Sequence, residues 1–164
     1  MRHYLIVIVG LFLILPGFSN ANPTLKGFDA NATEYNSHFG QNKWSVVMIW
    51  AHDCSVCNEE ASAYMDFHLK NKNLLAKVIG ISIDGEKYKS EAKAFLARHK
   101  LTFPNYYGEA QEIANWFYEL TGANWRGTPT FLIYNPKGDL LAQQAGAIPV
   151  PLLEQFIAQN GKFN

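Results

Sequence analysis

The stretch Trp44-Ser45-Val46-Val47-Met48-Ile49-Trp50-Ala51-His52-Asp53-Cys54-Ser55-Val56-Cys57 changes character halfway along. Its first half, Trp44 to Trp50, is an almost unbroken apolar run, the mark of a strand buried on both faces. The second half sets two cysteines three apart at the head of an amphipathic segment, Ser55 to about Asn71. There Ala61, Tyr64, Met65, His68 and Leu69 recur at the spacing of one helical face. A second apolar run, Ala76 to Ile83, ends at Asp84-Gly85. Strand, helix and strand of this size predict a βαβ unit with a right-handed crossover.

Downstream, the pattern predicts a helix over Glu86–His99, with Tyr88, Ala92, Phe95 and Leu96 on one face and Asp84 as its cap. Another is expected from about Glu109 to Leu120, carried by Ala110, Ile113, Ala114 and Phe117 and ended by Gly122. Thr130–Tyr134 reads as a strand, Asn135–Gly138 as a turn and Asp139–Ala145 as the returning strand of a hairpin. Pro151 suits the first turn of a final helix that buries Leu152, Leu153, Phe156 and Ile157 and ends at Asn160-Gly161. This order describes one α/β domain with a mixed central sheet flanked by helices.

Upstream, Arg2 and His3 precede an apolar stretch, Tyr4 to Leu15, that Pro16-Gly17 breaks before Ser19-Asn20-Ala21. This is the pattern of a secretory signal peptide, with cleavage expected after Ala21. A transmembrane helix needs about 20 apolar residues, more than this run supplies. The expected mature domain is 22–164, periplasmic and monomeric, with no membrane anchor after cleavage. Asn22 to Asn42 reads as an irregular lead-in with a short hairpin or helical turn, and Asn31-Ala32-Thr33 fits a glycosylation sequon.

The 164 residues are 48% hydrophobic and 17% charged, so disorder is excluded as a global description. Fourteen basic against fourteen acidic residues give no basic face for nucleic acid. Losing Arg2 with the signal segment leaves a charge of −1. Two cysteines are too few for a multi-bridge scaffold, but export places them where a disulfide persists.

Cys54 and Cys57 sit where the first strand gives way to the first long helix. A thiol at a helix N-terminus meets unpaired N–H groups and the positive end of the macrodipole, which favour its thiolate. Cys54 is the expected nucleophile, and Cys57, one turn on, resolves the mixed disulfide formed there. A structural staple is a competing reading, although a bridge spanning two residues restricts the unfolded chain little. A zinc site drawing on His52 or His68 is another, although structural zinc takes four ligands. His68 falls on the apolar helix face, where a satisfied core histidine is the ordinary finding. A copper or zinc chaperone using both thiolates and a purely structural interaction domain complete the alternatives.

Trp50-Ala51-His52-Asp53-Cys54-Ser55-Val56-Cys57 resembles the Trp-Ala-x-x-Cys-x-x-Cys signature of thioredoxin-like proteins. Gly127-Thr128-Pro129-Thr130-Phe131-Leu132-Ile133 is similar to that family's proline loop and following strand. Asn135-Pro136-Lys137-Gly138 resembles its turn, and Gly146 the glycine before its last helix. The exported TlpA/ResA-like branch matches best. Cytoplasmic thioredoxins carry a buried Asp where Met48 stands, and the exported branch carries an acid at the position of Glu60.

The resemblance implies a thioredoxin-like fold and dithiol–disulfide exchange on protein disulfides, without metal or organic cofactor. It also implies a membrane-bound thiol donor, a cis bond at Thr128-Pro129 and, in some members, service to cytochrome c maturation. Thr128, Pro129 and Trp50 would bind substrate; read from the sequence itself, Trp50 and Trp125 are equally aromatics of a docking groove or packing residues. Glu60 stands i+3 from Cys57 and i+4 before Tyr64, on the face turned to the core, where a carboxyl could relay a proton to Cys57. Asp53 opposes a Cys54 thiolate, His52 supports it only when protonated, and no Lys or Arg is adjacent in sequence. These terms favour a reductase over an oxidase or isomerase.

Overall fold

The structure is a computed structural model and describes Pro23, residues 25–29 and residues 35–161. The expected signal segment, residues 1–21, and the sequon at Asn31 lie outside the described residues. Strand β1 (Lys26–Gly27) and a 3-10 turn (Tyr35–His38) form the lead-in. They are followed by β2 (Trp44–Trp50), α1 (Ser55–Asn71), β3 (Ala76–Ser82), α2 (Lys89–Arg98) and β4 (Asn105–Tyr107). The chain continues through α3 (Ala110–Thr121), β5 (Thr130–Tyr134), β6 (Leu140–Ala145) and α4 (Val150–Asn160). The sheet order is β1-β4-β3-β2-β5-β6, with β2, β3 and β4 parallel and β1, β5 and β6 antiparallel to their neighbours. This is the expected mixed sheet flanked by helices.

All seven residues of β2 are buried, as an apolar run at the centre of a two-sided sheet requires. Alternation then divides them between two cores. Trp44, Val46, Met48 and Trp50 pack with Tyr64, Met65 and Phe67 of α1, Phe95 of α2 and Leu153 and Ile157 of α4. Val47 and Ile49 face Ile113, Trp116 and Phe117 of α3 on the other side. Gly122, in the left-handed region at φ 69°, ends α3 as expected.

Several expectations require correction. Leu69 of α1 and Leu152 of α4, which the spacing put on apolar faces, are exposed. The helix anticipated from Glu86 begins only at Lys89, with Tyr88 at its N-cap and no side-chain cap. Asp84 does not cap it, because its carboxylate is engaged elsewhere, as described below. The three-residue strand β4 was not anticipated, since so short a segment carries no readable period.

Trp50 closes β2 from inside the core. Its ring stacks on Phe95 at 4.3 Å between centroids, and Phe28 lies 6.3 Å away at a shallow angle. Its Nε1–H donates to Asn105 Oδ1 of β4 at 3.2 Å, and the Asn105 amide in turn donates to Phe103 O at 2.8 Å. The bond crosses β3 at Gly80, where a Cβ would stand 1.8 Å from Asn105 Oδ1 and 2.9 Å from Trp50 Nε1. Gly80→Ala is therefore expected to displace the Asn105 amide and leave buried polar groups unpaired. Denaturant unfolding should register a loss of about 2–4 kcal/mol.

His68 is a satisfied core histidine, as its position suggested. It is buried on α1, and its Nδ1 accepts the Val78 N–H at 3.1 Å. Burial, followed by Lys72 and Lys77, pushes its pKa down to about 4. Between that value and the free value of about 6.5 the unfolded chain binds a proton that the folded one does not. Stability should fall by about 3 kcal/mol as pH drops through this window and level off below it. Denaturant midpoints measured across the window should show this loss in the wild type and lack it in His68→Gln.

Candidate active site

The C-terminal edge of the parallel strands gathers the site. Thr130 pairs with Ile49 across the β2–β5 ladder, so the Thr128-Pro129 segment and the Trp50–Cys57 segment leave the sheet at the same edge. Ile83 N–H donates to Trp50 O at 3.0 Å, bringing the end of β3 there as well.

Cys54 is the N-cap of α1, with extended backbone, and its Sγ accepts the Cys57 N–H at 3.1 Å. The two cysteines form a disulfide, with Cα atoms 5.2 Å apart. They are unequally placed: Cys57 is 0% exposed, whereas Cys54 is only half-buried against the core. Cys54 is therefore the more accessible of the two, and a helix N-terminus favours negative charge at its position.

Glu60, half-buried on α1, has its pKa raised by burial and then by Glu59. The Glu60 charge also raises the pKa of Tyr64, so the two share a face. Tyr64 donates to Ile148 O at 2.8 Å and stacks on Phe131. Met48 is buried in the sheet beneath α1, in the same core cluster as Cys57, and places a thioether where an acid could have stood.

The Thr128-Pro129 bond is cis. Pro129 O accepts the Gly146 N–H at 2.9 Å, and Thr130 Oγ1 donates to Gly127 O at 2.6 Å, fixing the segment on both sides.

Trp50 does not line a docking surface. It is 0% exposed and its N–H is spent on Asn105, so the expectation that it binds substrate is corrected: it is a core residue. Trp125 is half-buried beside α3 and borders an open cleft with Ala114, Asn115 and Tyr118.

Two networks that spacing did not foretell hold the Ala51–Cys57 turn. The first comes from β3. Asp84, buried, accepts the His52 backbone N–H at 3.0 Å and the Ser82 hydroxyl at 2.6 Å, and its other oxygen lies 2.6 Å from His52 Nδ1. A carboxylate accepts, so His52 carries its hydrogen on Nδ1. The second network passes through Asn58, which donates from Nδ2 to Cys54 O at 2.8 Å. Its Oδ1 accepts from Arg98 Nη2 at 2.7 Å and from His99 Nε2 at 3.0 Å. Only the polar types Asn58, Asp84 and Arg98 were visible in the sequence, because the partners lie tens of residues apart.

Ligand atoms of His52, Asp53 and Asp84 come within 4.8 Å of one another. The Asp84 oxygens are already taken by protein donors, however, and His68 is occupied by Val78. No metal is assigned to either histidine.

A family model described as the AhpC/TSA family matches residues 18–143. No curated protein sequence matches the chain. Among solved structures, the thioredoxin domain of a thiol-disulfide oxidoreductase from Bacteroides vulgatus is similar at 15% identity and a TM-score of 0.64, over 84% of this chain and 96% of that one. A secreted disulfide oxidoreductase of Mycobacterium tuberculosis, homologous to DsbE of E. coli, is similar at 20% identity and a TM-score of 0.56, over 73% and 83%. StoA from Bacillus subtilis is similar at 18% identity and a TM-score of 0.57, over 71% and 83%. These likenesses show a thioredoxin-like fold, within which Cys54 and Cys57 form a disulfide. By the extent of the family match, the chain belongs to the AhpC/TSA family.

Proposed function

We propose that the protein is an exported thiol–disulfide oxidoreductase that reduces protein disulfides. The observation that carries this reading is the Cys54–Cys57 disulfide, with an accessible sulfur at a helix N-terminus and a fully buried one behind it. In the reducing direction the Cys54 thiolate attacks a substrate disulfide and forms a mixed disulfide, and one substrate sulfur leaves as a thiolate. Cys57, losing its proton, then attacks Cys54 Sγ and releases the second substrate thiolate. Two electrons pass to the substrate, and its two sulfurs take up protons. Glu60 is the proposed acceptor of the Cys57 proton. Its burial and its place on the Tyr64 face support that role. Thr128 and Pro129 are proposed to align a substrate strand alongside Cys54.

Export through residues 1–21, cleavage after Ala21 and a periplasmic monomer belong to the same reading. Among the described residues no helix is long and apolar enough to cross a membrane, and one structural relative is described as secreted. Reducing equivalents would come from a membrane-bound thiol donor.

Cys54→Ser should abolish reduction of a disulfide-bonded protein such as insulin, whereas Cys57→Ser should accumulate a covalent mixed disulfide through Cys54. Mass spectrometry of the trapped species identifies the substrate, and retained turnover in Cys54→Ser would refute the mechanism. A reduction potential near about −270 mV supports the reductase direction, and one near about −120 mV would assign the same chemistry to an oxidase.

Glu60→Gln tests the proton step separately. Because the Glu60 carboxyl keeps its proton to higher pH than an ordinary glutamate, the wild-type rate should carry an extra rise above the usual carboxyl range. In Glu60→Gln that rise should vanish. An unchanged profile removes Glu60 from the mechanism.

A further inference from the structure

Asn58 follows Cys57 directly, and both ends of its amide are occupied. Arginine only donates, so the Arg98 contact fixes Oδ1 on the α2 side and turns the NH2 toward the active-site turn. That NH2 donates to Cys54 O at 2.8 Å and reaches His52 O at 3.4 Å. His99, at the C-cap of α2, shares Oδ1 with Arg98. One amide thereby joins the last turn of α2 to the two carbonyls that flank Asp53.

Building on the redox function above, we propose that Asn58 is a positioning residue that couples the charge of Arg98 to the Cys54 turn and so stabilises the Cys54 thiolate. Cys54 O also accepts the Asn58 backbone N–H at 3.1 Å, so the side-chain NH2 is its second donor. Carbonyl oxygens are the negative ends of peptide dipoles, and each donor they bind lessens their repulsion of a negative sulfur beside them. A charged donor on Oδ1 polarises the amide and strengthens the N–H bonds made from its other end. The remaining charged groups around the turn do not serve this purpose. Asp53, Asp84, Glu59, Glu60 and Glu91 are acids, and the Nδ1–H of His52 is engaged by Asp84. Arg98 thus supplies positive charge to a turn that has no basic neighbour in sequence.

The quantity affected is the equilibrium with glutathione. Two glutathione thiols reduce the protein disulfide: the Cys54–Cys57 bond breaks, one bond forms in glutathione disulfide, and two electrons and two protons pass to the protein sulfurs. A stabilised Cys54 thiolate, which releases its proton to solvent, favours the dithiol. Weakening it favours the disulfide and makes the pair more reducing.

Asn58→Asp keeps an acceptor for Arg98 and His99 and the backbone N–H to Cys54 O, but has no side-chain N–H for the two carbonyls. It should lower the equilibrium constant for dithiol formation about tenfold, equivalent to about 30 mV toward reducing potentials. Arg98→Met, at an exposed position where folding is not at risk, should lower it about threefold, and Arg98→Lys should recover most of that loss. In Asn58→Asp and Arg98→Met alike, the pH at which thiolate ultraviolet absorbance appears should rise. Variants that lose only denaturant stability, with unchanged equilibrium constant and thiolate absorbance, would overturn the proposal. Failure of the wild type to exchange with glutathione at all would instead overturn the redox function on which it rests.

Discussion

The bond from the Trp50 indole to Asn105 ties together the three parallel strands whose ends carry the site. Trp50 ends β2, Asn105 begins β4, and the contact crosses β3 over Gly80, where no side chain intervenes. In a buried, low-dielectric setting such a bond is hard to break, because neither partner has water to turn to. Phe95 and Phe28 restrict the indole further. The Ala51–Cys57 turn starts at the very next residue, so its position is set by the core before any active-site contact is made.

Beyond Trp50 the chain is held electrostatically. Asp84 reaches His52 through both backbone and ring, and Ser82 holds Asp84 in place. Asn58 holds the other side of the turn. Negative charge is thereby kept in a hydrogen-bonded pair at the end of β3, while the cation enters from α2. The interior beneath the disulfide stays apolar, with Met48 buried in the sheet and Tyr64 bonded to a backbone carbonyl. Glu60 lies one helical turn after Cys57, and its raised pKa records the cost of its partial burial.

Much of this was legible in the sequence, for identifiable reasons. The limits of β2 and α1 could be read because an apolar run and a 3.6-residue repeat meet at Cys54. The end of α3 at Gly122 and the β5–β6 hairpin followed from turn chemistry. Trp50 was misjudged because an aromatic beside a reactive cysteine looks the same in sequence whether it faces in or out. The strand Asn105–Tyr107 was missed because its three residues form a strand only through pairing with β3. Local spacing permits Asp84 as a helix cap, but its actual partner His52 lies 32 residues upstream. Arg98 was invisible for the same reason, being distant along the chain.

The two-residue strand β1 has a consequence out of proportion to its length. It pairs with β4 and occupies the backbone groups that would otherwise form an open sheet margin at Tyr106 and Tyr107. Lys26 places a charge at that margin, held by Glu86, while Phe28 covers Trp50. Charged, very short margins of this kind deter edge-to-edge association between copies. A fragment trimmed to begin at Trp44 would therefore expose a sticky seam and uncover the indole. The stretch around Lys26 is part of the folded unit.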